Sequence, residues 1–88
     1  MEQKIAKLLA IASETHHAVY RKEDGNDPDW ATWYSDWLVN HSELPELLNK
    51  KIVRSELTGL LVKLDQEYTS KEQSITWMEH YAKGIVSY

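Results

Sequence analysis

Apolar residues recur along this chain at intervals of three and four, and no segment alternates polar with apolar in the two-residue rhythm of a strand. Ile5, Leu8, Leu9, Ala12, His16, Val19 and Tyr20 fall on one face at 3.6 residues per turn, which predicts a first helix from about Glu2 to Glu23. Gly25 then offers a left-handed stop. Asp27, Pro28 and Asp29 form a start signal: a capping carboxylate, a proline at the first position, and an acid near the positive end of the helix dipole. The second helix runs from there to near His41. Trp30, Trp33, Tyr34, Trp37 and Leu38 share an arc of about 140° on it, with Thr32, Ser35, Asp36 and Asn40 on the other side.

"SELPELLNKK" reads as a turn with a short helical piece around Pro45 to Leu48, followed by a brief extended link at Ile52 and Val53. Ser55 is placed to cap the next helix, on which Leu57, Leu60, Leu61, Leu64 and Tyr68 follow the i, i+3, i+4, i+7, i+11 template. Ser70 and Gln73 have capping-box spacing and predict the start of a last helix toward Tyr88. The expected fold is therefore all-α: one domain over 1–88, a bundle of four main helices plus one short helix joined by short connections.

Length changes this picture in one respect. Chains of 88 residues bury only about 60 to 65% of the surface their unfolded state exposes, so a shallow groove or flat contact face suits them better than a deep cavity. The absence of cysteine excludes disulfides, thiolate nucleophiles and cysteine-bound metals. A net charge of -4, with 14 acidic against 10 basic residues, supplies no general attraction to a phosphate backbone, so no nucleic-acid partner is expected. Nothing approaches the roughly 18 consecutive apolar residues of a membrane span, and the N-terminus lacks the pattern of a secretory leader. A cytoplasmic protein with no membrane partner is the expectation.

Four tryptophans and five tyrosines, with no phenylalanine, are unusual in kind. Each ring has a polar tip that needs water or a partner, which favours core edges and contact surfaces. On the second helix the plain reading is a core-facing stripe. The sharper reading makes Trp30, Tyr34 and Trp37 the wall of a groove for an apolar or planar ligand, with Trp30 foremost because it stands on the first turn. The last helix carries two stripes. Ile75, Met78, Ala82, Ile85 and Val86 look like core, and Trp77, Tyr81 and Tyr88 recur on an adjoining side. Either that helix is wedged between two others, or Trp77, Tyr81 and Tyr88 face a protein partner or a second copy of the chain.

The histidines do not assemble a metal site. His16 and His17 diverge by about 100° on a helix, and Glu14 with His17 lacks the second Glu-x-x-His that carboxylate-bridged sites use. His16 lies within the apolar stripe and is expected opposite Tyr34 or Trp37, as a core histidine or a ligand contact. His41 fits a helix C-terminal cap, and His80 reads as exposed. The acidic run "EDGNDPD" fails the calcium-loop pattern at its sixth and twelfth positions. No catalytic residue, metal or cofactor is predicted, and Arg54 is expected to pair with Asp36 or Glu56.

"DWATWYSDWL", "LPELL" and "RSELTGLLVKLDQEY" together resemble a group of small bacterial helical proteins, over about Glu14 to Tyr88. The shared pattern is D-W-x-x-W-Y-x-x-W-L, then L-P-x-L-L, then R-S-E-L. The resemblance implies a bacterial cytoplasmic origin and brings no known reaction, cofactor or catalytic residue. The functional expectation is a non-catalytic interaction module with its contact surface at Trp77, Tyr81 and Tyr88, a homodimer being one form of it. The alternative is a small-molecule or metal-binding protein using Trp30, Tyr34 and Trp37 with His16 or His41.

Overall fold

The computed structural model describes residues 1–19, 28–70 and 74–88, and among them every regular element is a helix. These are α1 (Glu2–Val19), α2 (Trp30–Asn40), α3 (Leu44–Leu48), α4 (Arg54–Thr69) and α5 (Trp77–Val86). The all-α expectation holds, with four main helices and one short one. Contacts link α1 to α2, α2 to α4, α4 to α5 and α5 back to α1, so the four long helices close a ring around one core, and α3 rests on α2. The radius of gyration, 12.5 Å, matches the roughly 12 Å of a compact chain this long.

Each helix buries the stripe its spacing calls for. Ile5, Leu8, Leu9, Ala12 and His16 are buried on α1. Leu57, Leu61 and Leu64 do the same on α4, flanked by the half-buried Leu60 and Tyr68. Val19, expected on the same stripe as His16, is 61% exposed. Tyr20, Gly25 and Asp27, assigned to the end of the first helix and the start of the second, lie outside the described residues, as does Gln73.

Three local assignments change. Asp29, rather than Asp27, is the N-cap residue of α2, and Pro28 precedes the helix instead of opening it. Val53 is the extended N-cap residue of α4, with ψ 117°, which places Ser55 inside the first turn. The cap of α5 is Thr76, whose side-chain oxygen accepts the Glu79 N–H at 3.2 Å. Ser70 instead closes α4: its N–H donates to the Gln66 carbonyl at 3.1 Å and its hydroxyl to the Glu67 carbonyl at 3.0 Å. The apolar face of α4 reaches Tyr68, and the helix continues as far as that face has something to cover.

Ser35 also departs from expectation. Sequence spacing puts it on the polar side of α2, yet it is 0% exposed, on the buried face formed with Ala31, Tyr34 and Leu38. Alanine and serine at i and i+4 leave room for α4 to approach closely, while the bulkier Trp33 and Trp37 lie toward α1. The buried hydroxyl meets its obligation through Thr58 Oγ1 of α4, 2.5 Å away. The α2–α3 corner turns on Ser42, which donates to the Leu38 carbonyl at 2.5 Å and accepts the Leu44 N–H at 3.1 Å. Asn49, at φ 53°, ends α3 in the left-handed conformation that asparagine tolerates better than most residues.

Candidate functional site

The last turns of α1 and α4 and the first turns of α2 and α5 meet at one end of the bundle, and an open pocket of about 430 Å³ lies between them. Ser13 and His16 come from α1, Trp30 and Tyr34 from α2, Asp65, Tyr68 and Thr69 from α4, and Trp77 and Tyr81 from α5. The two aromatic stripes seen in the sequence are thus walls of the same site. Trp30 lies roughly parallel to Tyr81, with ring centroids 6.3 Å apart and planes 28° apart. Tyr34 stands nearly perpendicular to both Trp30 (82°) and Trp77 (76°). Trp77 meets Tyr81 at 5.1 Å and 66°. Such edge-to-face pairs hold one another in place, because the positive rim of one ring meets the negative face of the next.

The polar groups on this lining are tightly committed. The Tyr81 hydroxyl donates to Asp65 Oδ1 at 2.9 Å. The Tyr68 hydroxyl donates to the Ile75 carbonyl at 2.8 Å and so ties the α4–α5 connection to α4. Thr69 donates to the backbone carbonyl of Asp65 at 2.9 Å. Burial pushes the Tyr34 phenol above its ordinary pKa, opposed by a hydrogen bond from Ser13. Tyr81 is pushed up further, first by burial, then by its bond to Asp65 and by that carboxylate's charge. Both phenols are therefore neutral donors at any ordinary pH.

His16, 8% exposed, lies where the helical spacing places it, against α2, with Trp33 edge-on at 4.9 Å and Tyr34 at 5.3 Å. Trp37 and His41 do not reach the pocket. They border a wide surface hollow with Leu8, Ile11 and the α2–α3 corner, so the groove expected from Trp30, Tyr34 and Trp37 divides in two. The reason is length: seven residues span almost two turns, about 10 Å along the axis. His41 is exposed at the end of α2, where its backbone N–H donates to the Trp37 carbonyl at 2.8 Å. His80 is half-buried instead of exposed, packed on Tyr68 at 5.6 Å with Nε2 3.6 Å from a Glu67 carboxylate oxygen.

The three residues expected to form a contact surface are not on one exposed face. Tyr81 is 4% exposed, because α5 packs on both α1 and α4 and the ring fills the seam. Trp77 is half-buried on the pocket wall. Tyr88 lies beyond the other end of α5, where its hydroxyl donates to Glu56 at 2.8 Å and the Lys50 ammonium sits 4.0 Å from its ring centroid. Arg54 does pair with Asp36, at 3.6 Å in an exposed setting. Ser13, Asp65, Tyr68 and Thr69 are the site residues that sequence reasoning passed over. The i, i+3 spacing of Asp65 and Tyr68 at the end of the leucine-rich helix is the available signal.

Among the described residues no group of three or more histidines, aspartates or glutamates is placed to hold a metal ion, and no helix is long and apolar enough to cross a membrane. No protein-family model, curated protein or solved structure matches this chain.

Proposed function

We propose that this protein is a small non-catalytic binding module whose ligand, a small organic molecule or group, enters the aromatic pocket at the end of the bundle. The observation that carries the reading is the convergence of Trp30 and Tyr34 from α2 with Trp77 and Tyr81 from α5 on one pocket of about 430 Å³. Ligand sites commonly fall in the range of about 300 to 1,000 Å³ and combine apolar walls with a few placed polar groups. Here the walls are aromatic and the placed groups are Asp65 and His16. An interface on Trp77, Tyr81 and Tyr88 would need those rings on a shared exposed face, and the buried Tyr81 and the tethered Tyr88 are poorly arranged for it.

The test is a titration of intrinsic fluorescence in a Trp33→Phe, Trp37→Phe chain, in which Trp30 and Trp77 alone emit. The panel holds neutral aromatics, branched aliphatic alcohols and organic cations. Saturable changes in emission, lost on Trp30→Leu in a chain that keeps its melting temperature, are the expected result. Flat emission for every compound up to about 10 mM, weaker than a binding free energy of about 3 kcal/mol, would overturn the proposal.

A further inference from the structure

We infer that the group taken by this pocket is an alkylated ammonium cation, held over the ring faces with Asp65 as its counter-charge. The inference rests on the pocket being a binding site and adds the chemical class of what it binds.

The first observation is the orientation of the walls. Four rings line the pocket, with Tyr34 turned 82° from Trp30 and 76° from Trp77. Ring faces carry the negative part of the quadrupole and attract cations, tryptophan most strongly. The second is the charge on the lining. Asp65 is the carboxylate there, and among the described residues no lysine or arginine lines the pocket or lies within ion-pair distance of Asp65.

The third concerns hydrogens. Each hydroxyl has one to give, and the hydroxyls of α4 and α5 on this lining have placed theirs: Tyr81 on Asp65, Tyr68 on the Ile75 carbonyl, Thr69 on the Asp65 carbonyl. What these groups offer a ligand is therefore lone pairs, alongside the second carboxylate oxygen and the π faces. An anion is repelled by Asp65 and finds no donor among these α4 and α5 hydroxyls, the lining's other donor groups being Ser13, Tyr34, His16 and the two indole N–H groups. A cation is attracted by the carboxylate, the lone pairs and the ring faces.

Alkylation follows from the same inventory. A primary ammonium brings three N–H donors that lose water on entry and need three acceptors, which rings do not replace. A quaternary ammonium spreads its charge over methyl groups, loses little hydration, and presents apolar surface to the indoles. A free quaternary amine and a trimethylated lysine side chain share this chemistry.

The experiment follows the indole N–H resonances of Trp30 and Trp77 in the intact chain during titration with choline and with 3,3-dimethylbutan-1-ol, its neutral carbon isostere. Choline is expected to bind about tenfold tighter than the alcohol. Asp65→Asn, which keeps an acceptor for Tyr81, should bring the two within about twofold, and Trp30→Leu should weaken choline more than the alcohol. A trimethyl-lysine peptide run beside choline separates the two sources, and tighter binding of either one upholds the cation site. Equal affinity for choline and the alcohol, or binding of the alcohol but not choline, overturns the cation and leaves the pocket standing. Silence from every probe overturns both.

Discussion

Asp65 and Tyr81 meet across the seam of α4 and α5, the phenol donating to the carboxylate Oδ1 at 2.9 Å. The bond joins two helices and fixes one wall of the pocket. Hydrogen bonds to a charged partner contribute about 1.5 to 3 kcal/mol, so Tyr81→Phe should lower stability by about 1 to 2 kcal/mol at pH 7, with the pocket's partial exposure setting the lower end. The same bond gives a pH dependence. The folded phenol titrates above the ordinary value of 10.0, so its stabilising effect is complete below pH 10 and is lost as pH rises beyond it, where the unfolded chain gives up the proton and the folded chain keeps it. The ceiling is about 1.4 kcal/mol per pH unit for one tyrosine. Melting curves between pH 8 and 11 should therefore show a steeper alkaline decline in the parent than in Tyr81→Phe. Identical slopes would assign the decline to Tyr34 and Tyr88, whose phenols are also raised.

Capping at the start of α5 separates two serine and threonine positions that a sequence pattern treats alike. Thr76 accepts the Glu79 N–H, and Thr76→Ala should cost about 1 kcal/mol. Ser70 holds only exposed carbonyls at the end of α4, and Ser70→Ala should fall within about 0.5 kcal/mol of the parent. Chemical denaturation measures both. A larger loss at Ser70 than at Thr76 would move the effective start of the helix back toward the earlier position.

The stripes on α1 and α4 were legible because a helix buried on one side writes its face at 3.6-residue spacing, and Leu57, Leu61 and Leu64 have no reading other than core. Ser35 was not, because periodicity sorts by polarity while the α2–α4 seam selects for small size. The pocket was half legible. His16 and Tyr34 could be set opposite each other from helical spacing, and Trp30 could be singled out as a rim residue. That Trp77 and Tyr81 belong with them depends on α5 closing the ring against α1, a contact between the two ends of the sequence that no local pattern encodes. Asp65 stayed hidden because its role comes from facing Tyr81 across the α4–α5 seam.

Two helical glycines should respond oppositely to the same substitution. Gly59 has nothing within 4 Å of an added Cβ, so Gly59→Ala should gain about 0.5 to 1 kcal/mol of helix propensity. At Gly84 the new methyl would fall 2.4 Å from Leu64 Cδ2 and 2.8 Å from Cδ1. Overpacking of that kind costs about 1 to 3 kcal/mol, which outweighs the propensity gain and leaves Gly84→Ala less stable than the parent by about 1 kcal/mol. In a Leu64→Ala background the clash is gone, and Gly84→Ala should become neutral or stabilising. If its effect is unchanged by Leu64→Ala, the close approach of α5 to α4 is not what selects glycine there.

The Ser35 and Thr58 hydroxyls make three contacts with two hydrogens: 2.5 Å to each other, 3.1 Å from Ser35 to the Thr32 carbonyl and 2.9 Å from Thr58 to the Arg54 carbonyl. One hydrogen must lie between the two oxygens, so only one of the backbone bonds is made at a time. Either hydroxyl can therefore be removed without orphaning the other, which turns to its own helix carbonyl. Ser35→Ala and Thr58→Val should each cost only about 1 kcal/mol, and the double substitution about the same as one alone, with a coupling energy of about 0.5 to 1.5 kcal/mol. Ser35→Val, which adds volume to a fully buried seam, should cost about 1 to 3 kcal/mol. Strictly additive single effects would mean that the hydroxyl pair contributes nothing across the seam, and that serine stands at this position for its size alone.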